Sequence, residues 1–305
     1  MSNPHIHVVA CALLDAVGRV LICRRPEGRP MSGYWEFPGG KIEAGEGRIE
    51  ALRRELSEEL SVTLLSARPL IRLRHGYPDF SVDLDVWLGT DWCGDVIPRE
   101  GQETTWAAPE DLRHHALLPA DGPVVGALLL PEQIVLTPDA GPASKHRRRI
   151  ADLDPERSAL LIRCQSPAHR RAWSSLARET APGMRVFQHG QGTEKSGGKR
   201  VIHLNSAELV SATERPDAEL VGASCHDLAQ LERAGALRLD YAFISPVNPT
   251  QSHPDQTSLG WARFTTLAGV AKMPVYALGG VGPDDLARAW EAGAQGVAGI
   301  SAYWD

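Results

Sequence analysis

The stretch GGKIEAGEGRIEALRRELSEELSV, residues 39–62, decides how the first half of this chain is read. Four glycines give way to a run of strong helix formers, and the acids of that run keep a fixed spacing. Glu55, Glu58 and Glu59 stand at i, i+3 and i+4, which sets three carboxylates on one helix face. Leu52, Leu56 and Leu60 repeat every four residues and mark a separate apolar face that can enter a core. Clustered carboxylates repel unless a cation lies between them, and hard oxygen donors of this kind suit magnesium or manganese. A charge run is more often a solvated helix face. The glycine loop, Arg54 and the acids occurring together argue for the metal.

Outward from this stretch, 305 residues suffice for two domains with full cores. A formal net charge of -6 is poor for a general nucleic-acid backbone binder, so no nucleic acid polymer is expected as partner. The five cysteines (Cys11, Cys23, Cys93, Cys164 and Cys225) form no C-x-x-C pair, which points to reduced thiols in the cytoplasm. The first residues carry neither a basic segment nor a long apolar one, and no apolar run matches a bilayer, so no signal peptide and no membrane partner are expected.

Residues 39–62 resemble the Nudix box, G-x5-E-x7-R-E-U-x-E-E-x-G-U, where U is a bulky apolar residue. Gly40, Glu46, Arg54, Glu55, Leu56, Glu58, Glu59 and Val62 fill it in register, and the run WEFPGGKIE from Trp35 is similar to the MutT-type branch. Ser61 stands where the family has a glycine that ends the helix in a left-handed conformation, a departure worth about 1 kcal/mol or less. The resemblance implies an α/β/α sandwich with a mixed sheet. It also implies magnesium, with manganese as the alternative, and hydrolysis of nucleoside triphosphates such as 8-oxo-dGTP to monophosphate and pyrophosphate.

Residue by residue, the resemblance implies Gly39, Glu55, Glu58 and Glu59 as metal ligands, with Arg54 orienting carboxylates. Glu100, in an Arg-Glu-Gly-Gln loop, matches a further ligand, and Glu103 is a neighbour able to replace it. Glu55 or Glu100 would serve as base through a water. Arg25, Glu36, Phe37, Tyr77 and Asp121 match the substrate pocket. At Asp121 the MutT-type enzymes carry an asparagine that reads the base through its two-faced amide, whereas an ionised aspartate offers acceptors only. Asp121 could instead cap the helix expected up to Leu130.

Strands are expected over Ile6–Leu14, Arg19–Arg25, Leu70–Leu73 and Phe80–Leu88, with a hairpin at Gly76–Asp79. A boundary near residue 130 separates domains 1–130 and 131–305. The second half alternates apolar runs with helical patterns. Eight candidate strands, from Ile134–Thr137 to Gly296–Ile300, fit a (β/α)8 barrel that ends short of a closing helix, with a loop at Gln191–Lys199.

FISPVNPT from Phe243, ALGGV from Ala277 and GISA from Gly299 resemble thiamine phosphate synthase and its TenI-like relatives. The resemblance implies a phosphate or thiazole-like ligand at the C-terminal face of the barrel, held by Gly279, Gly280 and Ser301. Three departures predict a barrel with lost or altered synthase chemistry. Gln188-His189 replaces an Asn-Asp pair, Gln251-Ser252-His253 replaces a lysine, and Asn205-Ser206-Ala207-Glu208 replaces Gly-Gln-x-Asp. Two other readings follow from the pairing of domains. The first half could hydrolyse a thiamine-related diphosphate, or the barrel could be a non-catalytic ligand-sensing module.

Overall fold

The computed structural model describes residues 4–189, 201–250 and 257–304. The chain divides into two compact units, Met1–Leu129 and Leu130–Asp305. The first contains β1 (His5–Leu13), β2 (Val20–Arg24), β3 (Trp35–Glu36), β4 (Gly39–Lys41), α1 (Arg48–Leu60), β5 (Thr63–Gly76), β6 (Ser81–Cys93), β7 (Glu103–Ala107) and α2 (Gly122–Leu129). Its larger sheet runs β4-β1-β6-β5, and the smaller runs β3-β2-β7. The larger sheet is mixed: β1 and β6 are parallel, while β4 and β5 join it antiparallel.

The pattern of β1 explains the sandwich. Val9, Cys11 and Leu13 pack with Leu52, Leu56 and Leu60 of α1, and Ala10 and Ala12 pack with Val124, Val125 and Ala127 of α2. A strand buried on both faces reads as a continuous apolar run. The hairpin arms β5 and β6 extend well beyond the strands expected from sequence. Their pairing is broken by register shifts between Leu64 and Ser66, Ser66 and Ala67, and Pro69 and Ile71, and those bulges interrupt the alternation that would have marked the full length.

The second unit contains β8 (Gln133–Leu136), α3 (Ser144–Ala151), β9 (Ser158–Ile162), α4 (Pro167–Thr180), β10 (Arg185–His189), β11 (Val201–Leu204), α5 (Ser206–Ser211), β12 (Leu220–Cys225), α6 (Leu228–Ala236), β13 (Tyr241–Ile244), α7 (Gly260–Ala268), β14 (Val275–Leu278), α8 (Leu286–Glu291), β15 (Gly296–Gly299) and α9 (Ser301–Trp304). The eight strands close into a parallel barrel, with β15 pairing β8. Phe187, Tyr241, Phe243 and Tyr276 fill its interior among smaller apolar residues. A Cβ on Gly222 would lie 2.1 Å from the Tyr241 ring, so only glycine lets that ring cross β12.

The short α9 seats Trp304 against Trp173 and His146, with ring centroids 5.3 and 5.1 Å away. The Trp304 indole N–H donates to the Leu136 carbonyl at 2.7 Å. The expected loop Gln191–Lys199 and the Gln251-Ser252-His253 departure lie outside the described residues. Among the described residues no helix is long and apolar enough to cross a membrane.

Candidate active site

Helix α1 starts where the Glu50 carboxylate accepts the Gly47 N–H at 2.9 Å. It ends at Ser61, which adopts the left-handed conformation itself (φ 60°, ψ 25°). The Ser61 hydroxyl accepts from Arg99 Nε at 2.5 Å. The chain after β6 is tied to the same helix end: Ile97 N–H donates to the Leu60 carbonyl and Arg99 N–H to the Glu59 carbonyl. Gln102, buried, donates from Nε2 to the Glu59 carbonyl (3.2 Å), while its Oε1 accepts the Glu100 N–H (2.9 Å). Those bonds hold the Glu100 loop beside the acidic face.

A cavity of about 930 Å³ opens there. Gly39, Gly40, Glu55, Glu59 and Glu100 line one part of it, and Arg25, Glu36, Phe37, Tyr77 and Asp121 line another. Glu58 and Arg54 are not among the lining residues. Arg54 spreads behind the acids, donating to both Glu46 oxygens (2.9 Å each), to Glu55 Oε1 (2.9 Å), to Glu58 Oε2 (3.3 Å) and to the Lys41 carbonyl (3.0 Å). Glu55 also lies hard against Gly40, where a Cβ would sit 2.4 Å from its carboxylate.

Glu100 pairs with Arg29 at 2.9 Å. Glu103 points elsewhere, to Arg24 across the β2–β7 pair at 3.1 Å. Between the two acids left open by sequence, Glu100 is the one in the cavity. Burial pushes Glu59 up to about 7, and the carboxylates of Glu100, Glu55 and Glu36 add to the shift against one N–H donated by Gly39.

At the other end Arg25 pairs with Glu36, which is still held above the usual carboxylate range by burial. Tyr77 stacks on Phe80, centroids 4.7 Å apart, and its hydroxyl accepts the Ala120 N–H. Asp121 does not cap α2; it closes a 3-10 turn (Pro119–Asp121), and its buried carboxyl accepts the Phe37 N–H. The helix continues directly from that turn, so no exposed N–H row is left for a cap to serve.

Among the described residues only His5, His7 and Asp83 bring three ligand-type atoms within 4.8 Å of one another. Arg74 already engages both Asp83 oxygens, at 2.7 and 2.9 Å. The cavity acids stand further apart, with Arg54 and Arg29 among them.

The NUDIX domain family model matches residues 4–128. The 8-oxo-dGTP diphosphatase of Haemophilus influenzae is 33% identical over 129 residues, 42% of this chain and 95% of that protein. The chain belongs to the Nudix family. The CTP pyrophosphohydrolase of Escherichia coli is also similar, at 33% identity over 41% of this chain and 91% of that protein. The Nudix domain is joined to a second recognisable one. The Thiamine monophosphate synthase model matches residues 198–303. The thiamine-phosphate synthase of Synechococcus sp. is 36% identical over 33% of this chain. The match spans 30% of that synthase's length.

The Nudix hydrolase domain thus has a TenI-like barrel as its companion. A second cavity, about 960 Å³, opens at the C-terminal ends of the barrel strands. Gly279, Gly280 and Ser301 line it, as do Arg163, His189, His203, Ser224 and His226. His203 is buried, with Nδ1 3.2 Å from the Tyr241 hydroxyl and Nε2 3.0 Å from Ser224 Oγ. His226 Nδ1 lies 2.8 Å from the Ser245 carbonyl. Asn205 and Glu208 cap α5 reciprocally, each accepting the other's N–H at 2.8 Å, so these departures from the synthase pattern do a structural job. His203, His226 and Gln102 were given no role from sequence. His203 and His226 stand at or just after strand ends, the positions that supply ligands in barrels of this kind.

Proposed function

We infer that the Nudix domain is a divalent-metal-dependent pyrophosphohydrolase acting on nucleoside triphosphates, releasing monophosphate and pyrophosphate. The observation that carries this reading is the single cavity that joins Glu55, Glu59 and Glu100 to the Arg25–Glu36, Phe37, Tyr77 and Asp121 pocket. The donor set fits a hard cation: Glu59 is crowded by three other carboxylates, and the groups on offer are all oxygen. Glu55, Glu59 and Glu100 would hold it, with Glu58 and the Gly39 backbone beside them, and magnesium is the preferred ion with manganese as the alternative. Bound there, the cation supplies charge neutralisation at the phosphates and acidity toward water.

The remaining work falls to the chain. Arg54 fixes Glu55 by a charge-assisted hydrogen bond, and Gly40, lacking a Cβ, leaves the space its carboxylate occupies. Glu55 is therefore the carboxylate assigned to take the proton from the attacking water, at its free oxygen. Gly40 gives the phosphates close access to the backbone. The apolar wall of Phe37 and Tyr77 receives the base, and the half-buried Arg25–Glu36 pair orients it.

Oxidised nucleotides such as 8-oxo-dGTP are the leading substrates, since several relatives are 8-oxo-dGTP diphosphatases. The companion barrel supports a second candidate, a thiamine-related diphosphate. We further infer that the barrel binds a phosphate or thiazole-like ligand without making thiamine phosphate, because Gln188-His189 stands where the synthases carry carboxamide and carboxylate. One panel tests these readings: the full chain with magnesium against 8-oxo-dGTP, the ordinary dNTPs, CTP and oxothiamine diphosphate. Turnover of a nucleotide with pyrophosphate release supports the reading. Turnover of oxothiamine diphosphate alone replaces it with the second.

A further inference from the structure

His5 and His7 open β1, and their His-x-His spacing puts both rings on one face of the strand. Register completes the group. His7 is the parallel partner of Asp83 on β6, His5 is that of Ser81, and Asp83 is in turn the partner of Arg74 on β5. His5 Nε2 lies 2.7 Å from Asp83 Oδ2, and His7 Nδ1 lies 3.9 Å from the same oxygen. The next acid on that face of β6, Asp85, is taken by Arg48 and Arg72 and stays out of the group.

Two features suit this cluster to a metal ion. His5 Nδ1 lies 2.8 Å from Ser81 Oγ. A hydroxyl both donates and accepts, so Ser81 can accept from Nδ1–H and leave Nε2 as a free lone pair. A ligating imidazole has such a partner on its other nitrogen. His7, by contrast, makes no hydrogen bond through its ring among the described residues. Its 3.9 Å to Asp83 exceeds one, and it meets His5 edge-on with centroids 4.8 Å apart.

We propose that His5 Nε2, His7 Nδ1 and Asp83 Oδ2 form a zinc site across the β1–β6 pair. Two imidazoles and a carboxylate are a donor set for a borderline dication, whereas the all-oxygen cavity suits magnesium. Tetrahedral bonds of about 2.1 Å set ligand atoms about 3.4 Å apart. The present 2.7 and 3.9 Å bracket that spacing, so side-chain rotation is enough, and a fourth position is left to water. Arg74 is the competitor. It donates to Asp83 Oδ1 at 2.7 Å and to Oδ2 at 2.9 Å, and zinc takes the second oxygen. Its side chain is 62% exposed, so it can keep Oδ1 or swing into solvent. Ile6, Val8, Val82 and Leu84, at the alternate positions of the same strands, line the Nudix cavity. Zinc at this site therefore braces that wall from behind.

The test is titration calorimetry of the full chain with zinc, in saturating magnesium to fill the cavity acids. The wild type binds one equivalent more than His7→Ala. Ser81→Ala keeps that equivalent with its Kd raised about tenfold, the effect of removing a ligand's hydrogen-bond partner. Arg74→Ala lowers the Kd by up to about fivefold, because an exposed ion pair no longer competes for Asp83. Zinc also shifts the imidazole carbon resonances of His5 and His7, assigned by their loss in His5→Ala and His7→Ala. It raises the thermal midpoint of the wild type more than that of His7→Ala.

The proposal is overturned if His7→Ala binds as much zinc, as tightly, as the wild type. It is also overturned if Arg74→Ala weakens zinc binding, or if the His5 and His7 resonances stay unmoved at one equivalent. The resonances are read on the wild type, so they decide the matter even where a variant does not fold. The site is independent of the hydrolase reading, and loss of zinc binding in these variants says nothing about pyrophosphate release.

Discussion

Replacing Gly40 with alanine should separate catalysis from folding. The Gly40 φ is not positive, so alanine meets no backbone strain there. The new Cβ would lie 2.4 Å from the Glu55 carboxylate, against an ordinary contact of at least 3.4 Å, so the carboxylate must retreat by 3.4 − 2.4 = 1.0 Å. The obstacle is the far end of a flexible side chain, which makes the adjustment cheap for stability. It is expensive for chemistry, because a displacement of about 1 Å in a positioned catalytic group costs on the order of 100-fold in rate. Magnesium-dependent pyrophosphate release should fall by about that factor in Gly40→Ala. The thermal unfolding midpoint should move by less than about 3 °C. Gly45→Ala is the control, since that glycine has open space around it and only its left-handed backbone to strain. A folded Gly40→Ala protein with wild-type turnover would refute the claim that the position of Glu55 matters.

Other perturbations give smaller or differently signed effects. Ser61→Gly relieves a left-handed serine worth about 1 kcal/mol but loses the Arg99 bond. Calorimetry should therefore show a gain under about 1 kcal/mol, and a loss would mean the hydroxyl outweighs the strain. Glu59, raised from 4.5 to about 7, favours the folded state in its protonated form, so stability falls as pH rises from 4.5 to about 7 and is flat above. Glu59→Gln should then stabilise the metal-free protein at pH 8 by up to about 3 kcal/mol while abolishing turnover; destabilisation there would contradict the crowding argument. His203 is held neutral by burial, well below its ordinary range, so its contribution to barrel stability is lost as pH falls below about 6.5. His203→Gln should flatten that acid limb in a pH series of melting curves.

The shared face of Glu55 and Glu59 on α1 was legible because helix geometry turns spacing directly into a face, although Glu58 does not line the cavity, and the same periodicity set Leu52, Leu56 and Leu60 toward the core. The left-handed Ser61 followed from the resemblance, which sets it where the Nudix box has a helix-ending glycine. The barrel strands were legible as apolar runs, since a parallel strand is buried on both sides. What stayed hidden depends on partners far away in sequence. Glu100 matched the ligand position by resemblance, but Glu103 stays open as its substitute until Arg24 is found holding it across β2–β7. Gln102 looks like any loop residue until its amide is seen bridging Glu59 and Glu100. The length of β5 and β6 was concealed by bulges around Ser66 and Pro69. The charge of Asp121 was invisible for a different reason: it is set by burial and by Glu36, 85 positions earlier in the numbering.

The most direct test resolves the products formed by the full chain from a nucleoside triphosphate with magnesium, in the wild type and in Glu59→Gln. The predicted result is monophosphate and pyrophosphate in equal amounts from the wild type, dependent on the metal and lost in the variant. Release of diphosphate and inorganic phosphate, or undiminished turnover in Glu59→Gln, would contradict the assignment of this cavity.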